Sequence, residues 1–150
     1  MANADIYWYR FLEATGRDKD EKCAGDLNFE AHGFVNDEQL ALVLSGKKTT
    51  MFSSFASYSA DNEPLPVSGE LYVVIDRNEN PRCIIELTSV AIIPFNQITW
   101  EMAQAEGEDD SLESWRTKEQ EYLEDEGAVV GFEFTPDIKL VCQTFHVIYT

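Results

Sequence analysis

At 150 residues and 17.1 kDa the chain has the size of one compact domain, one that needs no disulfide or metal staple to hold its core. Hydrophobic residues make up 44% and charged residues 26%, which excludes a wholly disordered chain. The charge is lopsided, with 28 acidic against 11 basic side chains and a formal net charge of -17, so broad electrostatic capture of long nucleic acid is disfavoured.

Taken in chain order, the apolar residues Ile6, Tyr7, Tyr9, Phe11 and Leu12 predict a short helix over 4–14. The stretch Gly16 to Asn28 is charged and has no clean period, and it reads as a surface loop. A second helix is well delimited. Asn36 and Gln39 form a capping box, Val35 and Leu40 a hydrophobic staple, and Leu40, Val43 and Leu44 an apolar stripe. Gly46 supplies its left-handed stop, immediately before Lys47-Lys48-Thr49-Thr50.

Strands follow over 48–53, 70–76, 82–93 and 139–149, all rich in Val, Ile, Thr, Tyr and Phe. Asp76 to Pro81 has a calcium-loop beginning, but Pro81 stands where the turn needs Gly and Leu87 where a bidentate Glu is required; it reads as a hairpin. A short helix is expected over 97–106, ending at Gly107. A longer one is expected over 111–126, capped by Asp110 with Glu113 and stopped by Gly127. Its final Glu124-Asp125-Glu126 would then sit at the negative end of the helix dipole, a local conflict. There is no internal repeat or linker, so residues 1–150 are expected to form a single α+β domain.

The compartment is read from three weak signals. Cys23, Cys83 and Cys142 have neither an even count nor C-x-x-C spacing, the N-terminal residues lack a basic and an apolar region, and no apolar run reaches about 20 residues. A cytoplasmic protein with no membrane partner is expected.

Some chemistries are poorly supported. His32 and His146 lack metal-ligand spacing, and there is no G-x-S-x-G, Walker loop or G-x-G-x-x-G. No metal and no cofactor are expected. Two segments remain. Lys47 and Lys48 stand together among hydroxyl side chains, which suits an anion or nucleobase site, although a lysine pair also complements the carbonyl end of the preceding helix. Glu106 stands at a helix end among carboxylates, which suits proton transfer and equally suits a solvated acidic turn. Trp8, Trp100 and Trp115 are candidates for base stacking, or simply core.

These pieces resemble the ASCH family of small PUA-like domains. The resemblance runs from about residue 35 to the C-terminal residues in six segments: Leu44-Ser45-Gly46-Lys47-Lys48-Thr49; Glu63-Pro64-Leu65-Pro66 with Gly69; Cys83 to Thr88; Pro94 to Thr99; Ala105-Glu106-Gly107-Glu108 with Ser111 to Arg116; and Val141 to Phe145. It implies a small, mostly antiparallel β-barrel flanked by helices, with recognition of RNA or of a small nucleoside-like ligand. Some members are similar to amidohydrolases that remove the acyl group of acylated cytidine; RNA cleavage is another activity of the family. In the amidohydrolase type the acting groups are a lysine, a threonine three residues later and a glutamate. They fall on Lys48, Met51 and Glu106.

Met51 departs from that pattern, because a thioether cannot become an alkoxide nucleophile. On an extended strand Thr50 points to the opposite face, whereas Ser53 shares the face of Met51 and is the better substitute. The expected catalytic residues are therefore Lys48, Glu106 and Ser53, with Lys47, Thr49 and Thr50 binding ligand. The alternative is a non-catalytic RNA-binding module. Lys48 and Glu106 are expected to meet across one cleft.

Overall fold

In the computed structural model, which describes residues 3–29 and 36–150, the chain runs α1 (Asn3–Thr15), β1 (Gly25–Leu27), α2 (Asn36–Leu44), β2 (Thr50–Ser54), α3 (Phe55–Ala60), β3 (Leu71–Ile75) and β4 (Pro81–Pro94). A 3-10 turn (Phe95–Gln97), α4 (Trp100–Gln104), α5 (Leu112–Val130) and β5 (Lys139–Tyr149) complete it. The five strands form one mixed sheet in the order β1-β3-β4-β5-β2, in which β1 pairs parallel to β3 and the other neighbours are antiparallel. It is an α+β, PUA-like architecture, with the sheet curled into a half-barrel whose edges are β1 and β2. Register shifts at Val74/Ile75, Ile84/Ile85 and Leu87/Ser89 mark where the strands bend.

Both faces of the central strands are covered, which is why β4 reads as a nearly continuous apolar run. Leu71, Val73 and Ile84 pack under α1 with Trp8, Phe11 and Leu12. Their neighbours Val74, Cys83, Ile85 and Leu87 face the other way, onto Leu40, Val43, Phe29 and Phe145. Beyond the Leu87/Ser89 shift, Leu140 and Cys142 of β5 join Phe52, Phe95, Trp115 and Leu123 in a third cluster beneath α5.

Several boundaries differ from the sequence expectation. Gly25–Leu27 is a strand, not loop; three residues carry no readable alternation, and its partners Tyr72–Val74 are remote in sequence. α3 was not expected at all. Ser54 caps it by accepting from the Ser57 amide, and the same hydroxyl donates to Glu126 of α5. α5 is capped by Ser111 rather than Asp110, and continues through Gly127 to a left-handed Gly131 with φ of 103°. Gly127 is needed for a different reason: a β-carbon there would overlap the Phe132 carbonyl as the chain turns back. Glu124 to Glu126 thus lie before the last turn, and Glu126 accepts from Ser54 and Tyr122 hydroxyls, which removes the expected dipole conflict. The capping box and staple at Asn36 and Val35, like His32, fall outside the described residues and side chains. The 76–81 segment is a hairpin turn in which the Asp76 carboxylate accepts from the Asn78 and Asn80 amides. Those bonds hold its pKa below the usual aspartate value.

Gly46, with φ of 80°, ends α2 as expected, and the Lys47 and Lys48 amides turn back to the Leu42 carbonyl. The chain then docks against the turn after α4. The Thr49 and Thr50 amides both donate to the Ala105 carbonyl, at 2.8 and 3.1 Å. Gly107, with φ of 83°, lies so close that a β-carbon would meet the Lys47 carbonyl oxygen at 3.0 Å. Gly107→Ala is therefore expected to lose about 1–3 kcal/mol in urea denaturation, through backbone strain plus crowding. Gly46→Ala, where a β-carbon meets nothing within 4 Å, should lose less.

Candidate functional site

The docked segments form part of the wall of a cleft of about 470 Å³. Lys48 is 3% exposed; its Nζ donates to the Glu106 backbone carbonyl at 3.5 Å and lies 5.8 Å from the centre of the Phe29 ring. β2 alternates as an extended strand must, with Met51 and Ser53 turned into the cleft and Thr50 buried on the opposite face. The Ser53 hydroxyl is 3.0 Å from the Tyr58 hydroxyl of α3, which shares the cleft wall. Tyr72 and the Pro64–Pro66 segment supply apolar and aromatic surface, and Gln39 and Gln143 supply amides.

The structure thus brings Lys48, Glu106 and Ser53 to one cleft, although 58 positions separate the first two. Lys47 is exposed and outside the lining, where its carbonyl packs against Gly107. Thr49 is also outside it and contributes backbone bonds, to Ala105 and to the Phe145 amide. Trp8 and Trp115 are core side chains, and Trp100 lies outside the cleft as well. His146 is exposed on β5, with its Nε2 3.1 Å from Glu86 Oε1.

The Glu106 carboxyl group is committed to α5 rather than to Lys48. Its Oε1 accepts from Trp115 Nε1 at 3.1 Å and from Lys118 Nζ at 3.1 Å. Lys118 also binds Glu108 at 2.8 Å and Asp109 at 2.7 Å, so an internal ammonium occupies the place where these three carboxylates would hold a cation. Burial pulls the Lys118 pKa down, but the facing carboxylates outweigh it and hold the group above the ordinary lysine value. Glu106 Oε2 and Glu108 Oε1 are buried with no donor among the described residues. Burial first, then the Glu106 charge, raises the Glu108 pKa.

Sequence inspection missed Lys118 and Trp115 as supports of Glu106, and Gln39, Tyr58 and Gln143 as cleft residues. The available signal was a polar residue in an apolar setting: Gln143 within Val-Cys-Gln-Thr-Phe, and Gln39 beside Leu40 on the buried side of α2.

Glu119 on α5 is 1% exposed, and burial, followed by the charge of Glu106, raises its pKa well above the ordinary glutamate value of 4.5. A raised carboxyl pKa means that the folded state binds the proton more tightly, so its contribution to stability is lost as pH rises above 4.5 through the folded value. Thermal melts of Glu119→Gln from pH 5 to pH 8 should therefore show a shallower loss of stability than wild type, with the variant the more stable by several degrees at the upper end.

Comparison with known proteins bears on this arrangement. Among curated proteins no significant match is found. A crystal structure of an ASCH domain from Lactobacillus crispatus JV V101 is 31% identical, covering 99% of this chain and 95% of its own, with a TM-score of 0.89. A crystal structure of a protein from Enterococcus faecalis V583 is also 31% identical, covering 98% of this chain and 88% of its own, with a TM-score of 0.83. The family model described as the ASCH domain matches residues 26–149, a span that contains Lys48, Ser53 and Glu106. The chain belongs to the ASCH domain family.

Proposed function

We propose that the cleft binds a nucleobase-sized ligand, with Lys48 as its charged anchor. The observation that carries this reading is the buried Lys48 ammonium in a cleft of about 470 Å³ walled by aromatic and proline side chains. A cleft of that size and lining suits a small planar ligand, and a single buried cation suits one carbonyl or ring-nitrogen acceptor. The net charge of -17 favours a small ligand over long RNA, because each phosphate contact needs a cation nearby. Glu106 serves here through its backbone carbonyl, which orients Lys48, while Lys118 and Trp115 hold its carboxyl group.

A second reading, amide hydrolysis, is favoured by Ser53, whose hydroxyl faces the cleft beside that of Tyr58. In this reading Ser53 Oγ attacks the acyl carbon of an acylated cytidine while Lys48 stabilises the oxyanion. The bond to the exocyclic amine breaks, the serine proton passes through Tyr58 to the departing amine, and water then hydrolyses the acyl-serine to a carboxylate.

Calorimetry tests the binding reading. Lys48→Met keeps the stem and removes the charge, and it should weaken nucleoside binding about tenfold or more, the worth of a charge-assisted hydrogen bond. Nucleoside affinity should be nearly independent of salt. Oligonucleotide binding that falls steeply with added salt would instead report several phosphate contacts and give the RNA-module reading the lead.

Release of cytidine from its acylated form tests the second reading. Turnover by wild type that Ser53→Ala abolishes, with Met51→Thr unchanged, places the nucleophile on Ser53. Turnover gained only in Met51→Thr would place it at the position of the family's threonine instead. Nucleoside binding with no turnover in any of the three leaves a binding domain.

A further inference from the structure

On the binding reading above, we propose that Gln39 is the specificity-determining residue of the cleft, its side-chain amide donating to an acceptor on the nucleobase. Gln39 lies on α2, whose residues 39, 40 and 43 share one face at helical spacing. Leu40 and Val43 turn that face into the core, at 2% and 0% exposure, and Gln39 is equally buried at 2%. A polar side chain at a core position of an otherwise apolar stripe breaks the local pattern, and such breaks concentrate at functional sites.

Its Nε2 has no hydrogen-bond partner among the described residues, yet the side chain lines the cleft. A buried amide N–H without an acceptor is costly, and a cheaper side chain such as leucine would fill the same place in the stripe. The donor is therefore held ready for an acceptor that arrives with the ligand. Lys48 reaches the same cleft as a second donor. Two donors and aromatic walls select a flat heterocycle that presents acceptors at its edge, through a lactam-type carbonyl or an imine nitrogen. A compensating cost in the empty protein and a gain on binding are two faces of one group.

The test uses the full chain and two variants. Gln39→Leu removes the amide while keeping the apolar stripe, and Gln39→Glu keeps the shape while replacing the donor with a carboxylate. Cytidine, uridine, adenosine and guanosine are titrated calorimetrically into each protein, and each ligand-free protein is melted. Gln39→Leu should keep or raise the ligand-free melting temperature and should weaken binding of the preferred nucleoside at least tenfold, narrowing the preference among the four. Gln39→Glu should weaken binding at least as much. A melting temperature several degrees lower in Gln39→Leu would show the amide already bonded in the empty fold and would overturn the proposal, whatever the ligand. Wild-type binding that both variants retain within twofold, with the same preference, would overturn the role of Gln39 and leave the binding reading standing. A wild type that binds none of the four nucleosides overturns both.

Discussion

The site depends on a main-chain seam. Two amides from the start of β2 converge on the single carbonyl of Ala105, and the Lys48 side chain reaches the next carbonyl, that of Glu106. Gly107 lets the two backbones approach closely enough for this. The seam joins the end of α2 to the end of α4, and so fixes both the direction of β2 and the depth of Lys48. Everything that β2 presents to the cleft, Met51 and Ser53 included, follows from where that strand begins.

Behind the seam lies an acidic interior that would be untenable without α5. Burying Glu106, Glu108, Asp109 and Glu119 close together is expensive, because each carboxylate disfavours ionisation of its neighbours. Lys118 meets three of them, and Trp115 donates to the same Glu106 oxygen that Lys118 binds. The two side chains are three residues apart on one helix, so one turn of α5 supplies both. Part of the acidic charge is thereby offset from the helix side, while Lys48 faces the cleft side.

Much of the architecture was legible in the sequence because it rests on strong local patterns. Gly46 after an apolar stripe marks the end of α2, and the β-branched runs mark β3, β4 and β5. What escaped was non-local or ambiguous. β1 is three residues long and acquires its identity only from β3. Gly127 looked like a helix stop because glycine usually is one there; its actual constraint is the returning Phe132 backbone, which no local pattern announces. The site divides in the same way. Lys48, Glu106 and Ser53 were reached through a resemblance and strand alternation, whereas the Lys118 and Trp115 supports come from the packing of a different helix. Gln39 was visible but taken for a capping partner, since capping is the commoner use of that residue type near a helix start.

The Ser54 hydroxyl, which caps α3 and reaches Glu126, has a consequence for how a ligand is received. α3 is only six residues long and would fray on its own, yet it carries Tyr58 into the cleft. With its first turn capped and tethered to the long α5, and Tyr58 bonded to Ser53, that wall is ordered before anything binds. Association then sacrifices little side-chain freedom on this side, so affinity can be spent on discriminating between ligands rather than on organising the receptor.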